Sequence, residues 1–153
     1  MATPRGRRRP LAASVARGVA LAAGLALARR LRAWLDVAEV QGGSMAPTLL
    51  HGDWLVVECR AYTRRAPRIG EIVLAPDPRN PARELIKRIA AVDPTAGTAE
   101  LRGDAPGEST DSRTFGAVPL VGIRWRVIGR YRPARRAALW LTAPPAEPAT
   151  GTR

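Results

Sequence analysis

From Trp34 onward no apolar run goes far before Pro or Gly interrupts it, and this punctuation leaves no long amphipathic helix after residue 36. Five runs have strand length: Trp54 to Tyr62, Glu71 to Ala75, Glu84 to Val92, Thr98 to Arg102 and Val121 to Tyr131. Turn chemistry falls between or after them, at Gly52-Asp53, Pro67 to Gly70, Pro76 to Pro81, Asp93 to Gly97 and Gly103 to Gly107. Alternation is clearest in Gly122-Ile123-Arg124-Trp125-Arg126-Val127, where the Arg side chains face outward if the apolar ones face a core. The expected fold is all-β: a compact domain of short strands over residues 37–132, preceded by a helix within residues 1–36 and followed by an Arg/Pro/Ala-rich tail over 133–153. A chain of 153 residues with 46% hydrophobic content has room for one such core, and wholesale disorder is excluded.

The net charge of +12 suggests a nucleic-acid binder until it is divided along the chain. Residues 1–32 carry eight Arg and no acid; 33–130 carry thirteen basic and twelve acidic residues; 131–153 carry four Arg and one Glu. The middle is nearly neutral, so no specific nucleic-acid surface is expected there, and the basic ends suit membrane lipid instead. Leu11 to Ala28 is mostly apolar and flanked by Arg on both sides. As a helix it spans about 27 Å, slightly less than the roughly 30 Å hydrocarbon layer, and Arg17 interrupts it. The expectation is a single-pass N-terminal anchor in the cell membrane. A cleaved leader ending at Ala26-Leu27-Ala28 and a surface-bound or soluble helix, which would leave the protein cytoplasmic, are the alternatives.

Few residues can carry chemistry. Of twenty-five basic residues, twenty-four are Arg and one is Lys87. Arg keeps its proton, whereas a buried Lys can become the neutral amine that acts as a base. In Glu84-Leu85-Ile86-Lys87-Arg88-Ile89, a strand puts Leu85, Lys87 and Ile89 on one face, so Lys87 is placed for burial and Arg88 points the other way. Of the four serines, Ser44 follows Gly42-Gly43 and precedes Met45-Ala46-Pro47, a stretch that resists regular structure and exposes backbone. An ordinary Gly-Gly-Ser turn is the competing reading. The polar stretch Arg102 to Gly116 reads as a loop in which Asp111 can pair with Arg113. A triad of Ser44 or Ser109 with His51 is a further alternative, but nothing around His51 suggests a base held by a carboxylate, and a surface His after Leu49-Leu50 is the competing reading. With one His and one Cys, a protein-built metal site is not expected, nor is a cofactor. Cys59, in an apolar run, is expected to be a buried thiol.

Three ordered stretches together resemble the type I signal peptidases, membrane-associated endopeptidases with a Ser-Lys dyad. Gly43-Ser44-Met45-Ala46-Pro47-Thr48-Leu49 with Gly52-Asp53 resembles the nucleophile box, and Lys87-Arg88 the general-base box. Gly103-Asp104 through Ser109-Thr110-Asp111-Ser112-Arg113 and Phe115-Gly116 resembles the last conserved box. The resemblance implies that Ser44 attacks the scissile carbonyl, Lys87 takes its proton, Ser109 orients the Lys87 amine, and Asp111 and Arg113 hold the loop as an ion pair, with Asp104 in support. It places Gly42, Gly43, Met45 and Pro47 beside the oxyanion and substrate, with the Ser44 N–H as oxyanion donor. Gly42 stands where some members carry a hydroxyl, and Ala105 where Asn commonly follows Gly-Asp. The implied partner is a precursor protein with an N-terminal signal or leader peptide. The short interval from Lys87 to Gly103 also resembles the small maturation proteases for nickel-type superoxide dismutase within the same superfamily. A non-catalytic membrane-anchored or nucleic-acid-binding β module is the alternative of a different class.

Overall fold

The computed structural model describes residues 21–29, 32–140 and 143–144. The chain divides into two compact units, Met1–Ala33 and Trp34–Arg153. In the first, residues 21–29 are helical and exposed. Most of the candidate anchor Leu11 to Ala28 lies outside the described residues, and among those described no helix is long and apolar enough to cross a membrane.

The second unit is one eight-stranded antiparallel sheet, in agreement with the all-β expectation. Its strands are β1 (Leu35–Glu39), β2 (Trp54–Glu58), β3 (Ile72–Asp77), β4 (Asn80–Asp93), β5 (Thr98–Arg102), β6 (Val118–Pro119), β7 (Trp125–Arg132) and β8 (Ala138–Leu139). The order is β1-β2-β7-β3-β4-β5-β6, with β8 pairing with β7. In β2, Leu55 and Val57 are buried while their neighbours are only half covered, the period of two expected of a one-sided strand. By contrast β3 is apolar and buried from Ile72 to Ala75, because it lies between β7 and β4 and feeds a core on each face. Ile72 and Leu74 join Val40, Met45, Leu49, Leu55, Val57 and Val127. Val73 and Ala75 join Ile89, Ala99, Leu101, Val118 and Ile123. Each fully buried Leu or Ile contributes roughly 1.5–3 kcal/mol, so these clusters set the register of everything built on the strands.

Buried carboxylates fix the turns. Asp77 accepts from the Arg79 backbone N–H at 3.0 Å and from its guanidinium at 3.0 and 2.7 Å, which closes the β3–β4 hairpin. Glu71 accepts from Tyr62 Oη at 3.0 Å, from Arg65 at 2.6 and 3.1 Å and from the Arg68 N–H, tying down the loop between β2 and β3.

Several elements differ from the pattern reading. β2 stops at Glu58, and Cys59 is half-buried rather than buried. The hairpin lets β4 begin at Asn80 despite Pro81, because residues 80–84 are exposed and Asp77 pairs directly with Asn80. The run from Val121 splits into a 3-10 turn at Leu120–Gly122 and the strand β7. The segment after Pro133, read as a tail, forms a 3-10 turn at Ala134–Arg136 and then β8 on the sheet.

Candidate active site

Ser44 sits in the connection between β1 and β2, a loop held at its base and its flanks. The Val40 N–H donates to the Asp53 carbonyl and the Gly52 N–H to the Val40 carbonyl, both at 2.9 Å, so the chain returns on itself between 40 and 53. Gly42 has φ of 88°, which a side chain would resist, and its N–H donates to Nδ1 of His51 at 3.1 Å. Beyond Ser44, Ala46 N–H donates to the Gly43 carbonyl and Leu49 N–H to the Met45 carbonyl, at 2.9 and 2.8 Å. Met45 and Leu49 sink into the core and leave Ser44 half-buried at the rim of a cleft.

Asp53 anchors the far side of this loop. It is buried and accepts from the Leu50 N–H at 2.9 Å, from Arg130 at 3.3 Å and from Arg136 at 3.0 and 3.1 Å. The same two guanidiniums reach loop carbonyls: Arg130 donates to Thr48 at 2.7 Å and Arg136 to Pro47 at 3.2 Å. The loop bearing Ser44 is thereby clamped to β7 and to the turn beyond Pro133.

Lys87 enters from β4, whose pairing with β3 puts it opposite Val73. Leu85, Lys87 and Ile89 are all buried on one face, as the alternation requires. Lys87 is 3% exposed, and its Nζ lies 2.7 Å from Ser44 Oγ. Burial pushes the Lys87 amine below the ordinary lysine value; Asp111 opposes that shift and Arg83 adds to it.

The third wall is the stretch from Gly103 to Arg113. Its centre is Asp111, fully buried and the N-cap of the short helix Ser112–Phe115. Asp111 accepts from the Gly103 N–H at 3.0 Å, Ser109 Oγ at 2.8 Å, the Arg113 N–H at 3.2 Å and the Arg113 guanidinium at 2.9 and 2.6 Å. Burial alone would raise its carboxyl, but the hydrogen bonds from Arg113, Gly103 and Ser109 hold it well below the usual carboxylate range. Ala105 N–H donates to the Ser44 carbonyl at 3.1 Å, and a Cβ at Gly103 would overlap both Ser109 Oγ and that carbonyl. Only glycine allows the loop to approach the serine this closely.

The sequence-expected residues thus divide by position. Ser44 and Lys87 meet, and Gly42 and Gly43 line their cleft. Asp111 and Arg113 pair directly. The Ser109 hydroxyl is engaged with Asp111, and among the described residues no hydrogen bond joins it to Lys87. Asp104 pairs with Arg88, at 2.8 and 2.6 Å, on the face of β4 opposite Lys87. Met45 is in the core, and Pro47 offers its carbonyl to Arg136 rather than lining the cleft. Residue-by-residue reasoning missed Arg130, Arg136, His51 as a loop support, and the cleft residues Arg83 and Glu108. Arg130 and Arg136 have no local signal, because they meet Asp53 across 77 and 83 residues of chain, whereas Arg83 stands two and four residues before Leu85 and Lys87 in the same alternation and was open to the same reading.

An amine whose proton is held less tightly than that of an ordinary lysine, within hydrogen-bond reach of a hydroxyl, can take the proton as that oxygen attacks a carbonyl. The chain matches a family model described as signal peptidase, peptidase S26, over residues 12–99. That span includes Ser44 and Lys87 but ends before the Asp111 loop. Among curated relatives, the mitochondrial ATP-independent inner membrane protease subunit 1a of Arabidopsis thaliana is 32% identical over 120 residues, covering 65% of this chain and 71% of the relative. The mitochondrial inner membrane protease subunit 1 of Schizosaccharomyces pombe is also 32% identical, over 116 residues, covering 64% and 74%. The corresponding subunit 1 of Xenopus tropicalis is 29% identical over 116 residues, covering 64% and 70%. The chain belongs to the signal peptidase S26 family and is a peptidase.

Proposed function

We propose that this peptidase is a membrane-associated serine endopeptidase that removes N-terminal signal or leader peptides from precursor proteins with a Ser44-Lys87 dyad. The observation that carries the reading is the 2.7 Å approach of Lys87 Nζ to Ser44 Oγ in a site where Lys87 is almost wholly excluded from water. Neutral Lys87 accepts the Ser44 proton as Oγ attacks the scissile carbonyl, giving a tetrahedral intermediate whose oxyanion is met by the Ser44 N–H. The protonated amine returns its proton to the leaving amine, and the acyl-enzyme forms. Neutral again, Lys87 accepts a proton from a water whose oxygen attacks the acyl carbonyl; the bond from that carbon to Oγ then breaks, Lys87 returns the proton to Oγ, and the leader leaves as a carboxylate with Ser44 restored.

Asp111, Gly103 and Ala105 act on this chemistry through the Ser44 carbonyl and the loop, as positioning groups. Membrane association is supported by the relatives' names, which are those of inner membrane proteases, and by the Arg-flanked apolar stretch of residues 11–28.

The test is cleavage of a leader-bearing precursor by wild type, Ser44→Ala and Lys87→Met, read by mass spectrometry of the new N-terminus. Cleavage is expected for wild type only. Cleavage that persists in both variants contradicts the dyad.

A further inference from the structure

The cleft beside Ser44 is small, about 110 Å³, and its rim carries charge of both signs. On one wall, Arg83 shares the strand face of Leu85 and Lys87, two and four residues earlier in β4, and lines the cleft with them. On the other wall, Glu108 ends the 3-10 turn Pro106–Glu108 and lies against Gly43 so closely that a Cβ on residue 43 would overlap its carboxylate. Gly43 immediately precedes Ser44, so this carboxylate stands beside the bond-breaking centre.

Three other arginines near this cleft each have a carboxylate partner. Arg79 is held by Asp77 and lies 5.7 Å from the Phe115 ring centre, Arg113 is held by Asp111, and Arg88 by Asp104. Among the described residues, Arg83 and Glu108 make no ion pair and no side-chain hydrogen bond, and both are exposed to the cleft mouth. A peptide laid across Ser44 as an extended strand presents alternate side chains to the two walls at about 3.3 Å per residue. Charges left unpaired in a site where a chain must lie are suited to read it, because each rejects a like charge as well as attracting the opposite one.

We propose that Glu108 and Arg83 are specificity-determining residues that select leader junctions by charge: a basic side chain next to the scissile bond, against Glu108, and an acidic side chain within about four residues of it, against Arg83. This rests on the peptidase reading above and adds the substrate class of the same site.

The experiment scans Lys and Glu through the four positions on each side of the cut in a fluorogenic peptide built on a precursor junction. The quantity read is the Lys-to-Glu ratio of kcat/KM at each position, so a general loss of activity in a variant cancels. Wild type is expected to favour Lys over Glu about twofold to fivefold at one position adjoining the cut, the size of a solvent-accessible ion pair. It should favour Glu by a similar factor at a position further away. Glu108→Lys is expected to invert the first ratio only and Arg83→Glu the second only, and 1 M salt should flatten both.

Binding of the same peptides to Ser44→Ala, followed by fluorescence anisotropy, reads the preference without turnover. Preferential binding without cleavage by wild type would sustain the charge reading and count against the peptidase reading. Cleavage or binding indifferent to charge, or preferences that survive both reversals, would overturn the proposal while leaving the dyad intact.

Discussion

Lys87 and Asp111 are both buried ionisable side chains at one site, and the protein treats them in opposite ways. Asp111 receives five hydrogen bonds from Arg113, Ser109 and Gly103, and its carboxyl is held ionised far below the usual range. Lys87 has one side-chain hydrogen-bond partner among the described residues, Ser44 Oγ, to which its Nζ donates, while burial works against its charge. The first is a fixed charge used as architecture. The second is a group left free to change protonation state, which is what a general base needs and what stability alone would not select.

The sharpest way to break this contrast is to remove each residue and read activity and stability separately. Lys87→Met should lower precursor cleavage by on the order of 10³-fold or more. It should leave the fold equally stable or about 1 kcal/mol more stable in denaturant titration, since an apolar side chain replaces a poorly paired amine. The pH dependence has a definite sign. The folded-state pKa of Lys87 lies below its unfolded value, so the unfolded chain binds more protons between the two and wild-type stability rises with pH across that window. Any advantage of Lys87→Met is therefore greatest below the depressed pKa and fades as pH approaches the ordinary lysine range.

Asp111→Ala should do the reverse, costing roughly 2–4 kcal/mol of stability because buried donors lose their acceptor. Activity loss should follow only as the loop loosens from the Ser44 carbonyl. The stability that Asp111 supplies is present above the unfolded carboxylate range and is lost as pH falls through its depressed value, so Asp111→Asn should flatten the acid limb of the unfolding curve. A smaller effect is expected at the other end of the loop that bears Ser44. Arg136→Ala removes one of two guanidiniums on Asp53 and should cost about 1–2 kcal/mol, with Arg130 still in place. If Arg136→Ala proved as damaging as Asp111→Ala, the clamp behind the loop would matter as much as the loop beside Lys87.

Much of this site was legible in the sequence where the signal is local. The alternation Leu85, Lys87, Ile89 gave the burial of Lys87, and the single Lys among Arg residues made it distinctive. Asp111 and Arg113 are two residues apart, so their pairing could be read from adjacency. The clamp on Asp53 could not, because Arg136 lies 83 residues away and meets it only after the segment beyond Pro133 folds onto β7. β1 was missed for a different reason: Leu35–Glu39 is exposed along almost its whole length and carries no buried alternation to recognise. Ser109 shows a further limit. Its position in a motif is visible, but which neighbour its hydroxyl engages depends on the competition between Asp111 and Lys87.

The central claim is that Lys87 is a neutral base, and the composition makes it directly measurable, because Lys87 is the only lysine in the chain. Selective ¹⁵N-lysine labelling gives one side-chain amine resonance, whose titration can be set beside the pH profile of kcat/KM. The Lys87 amine is expected to titrate below about 10.4, the ordinary lysine value. Cleavage should rise with pH through that same midpoint. An amine that titrates at the ordinary value, or cleavage that falls as the amine loses its proton, would contradict the account.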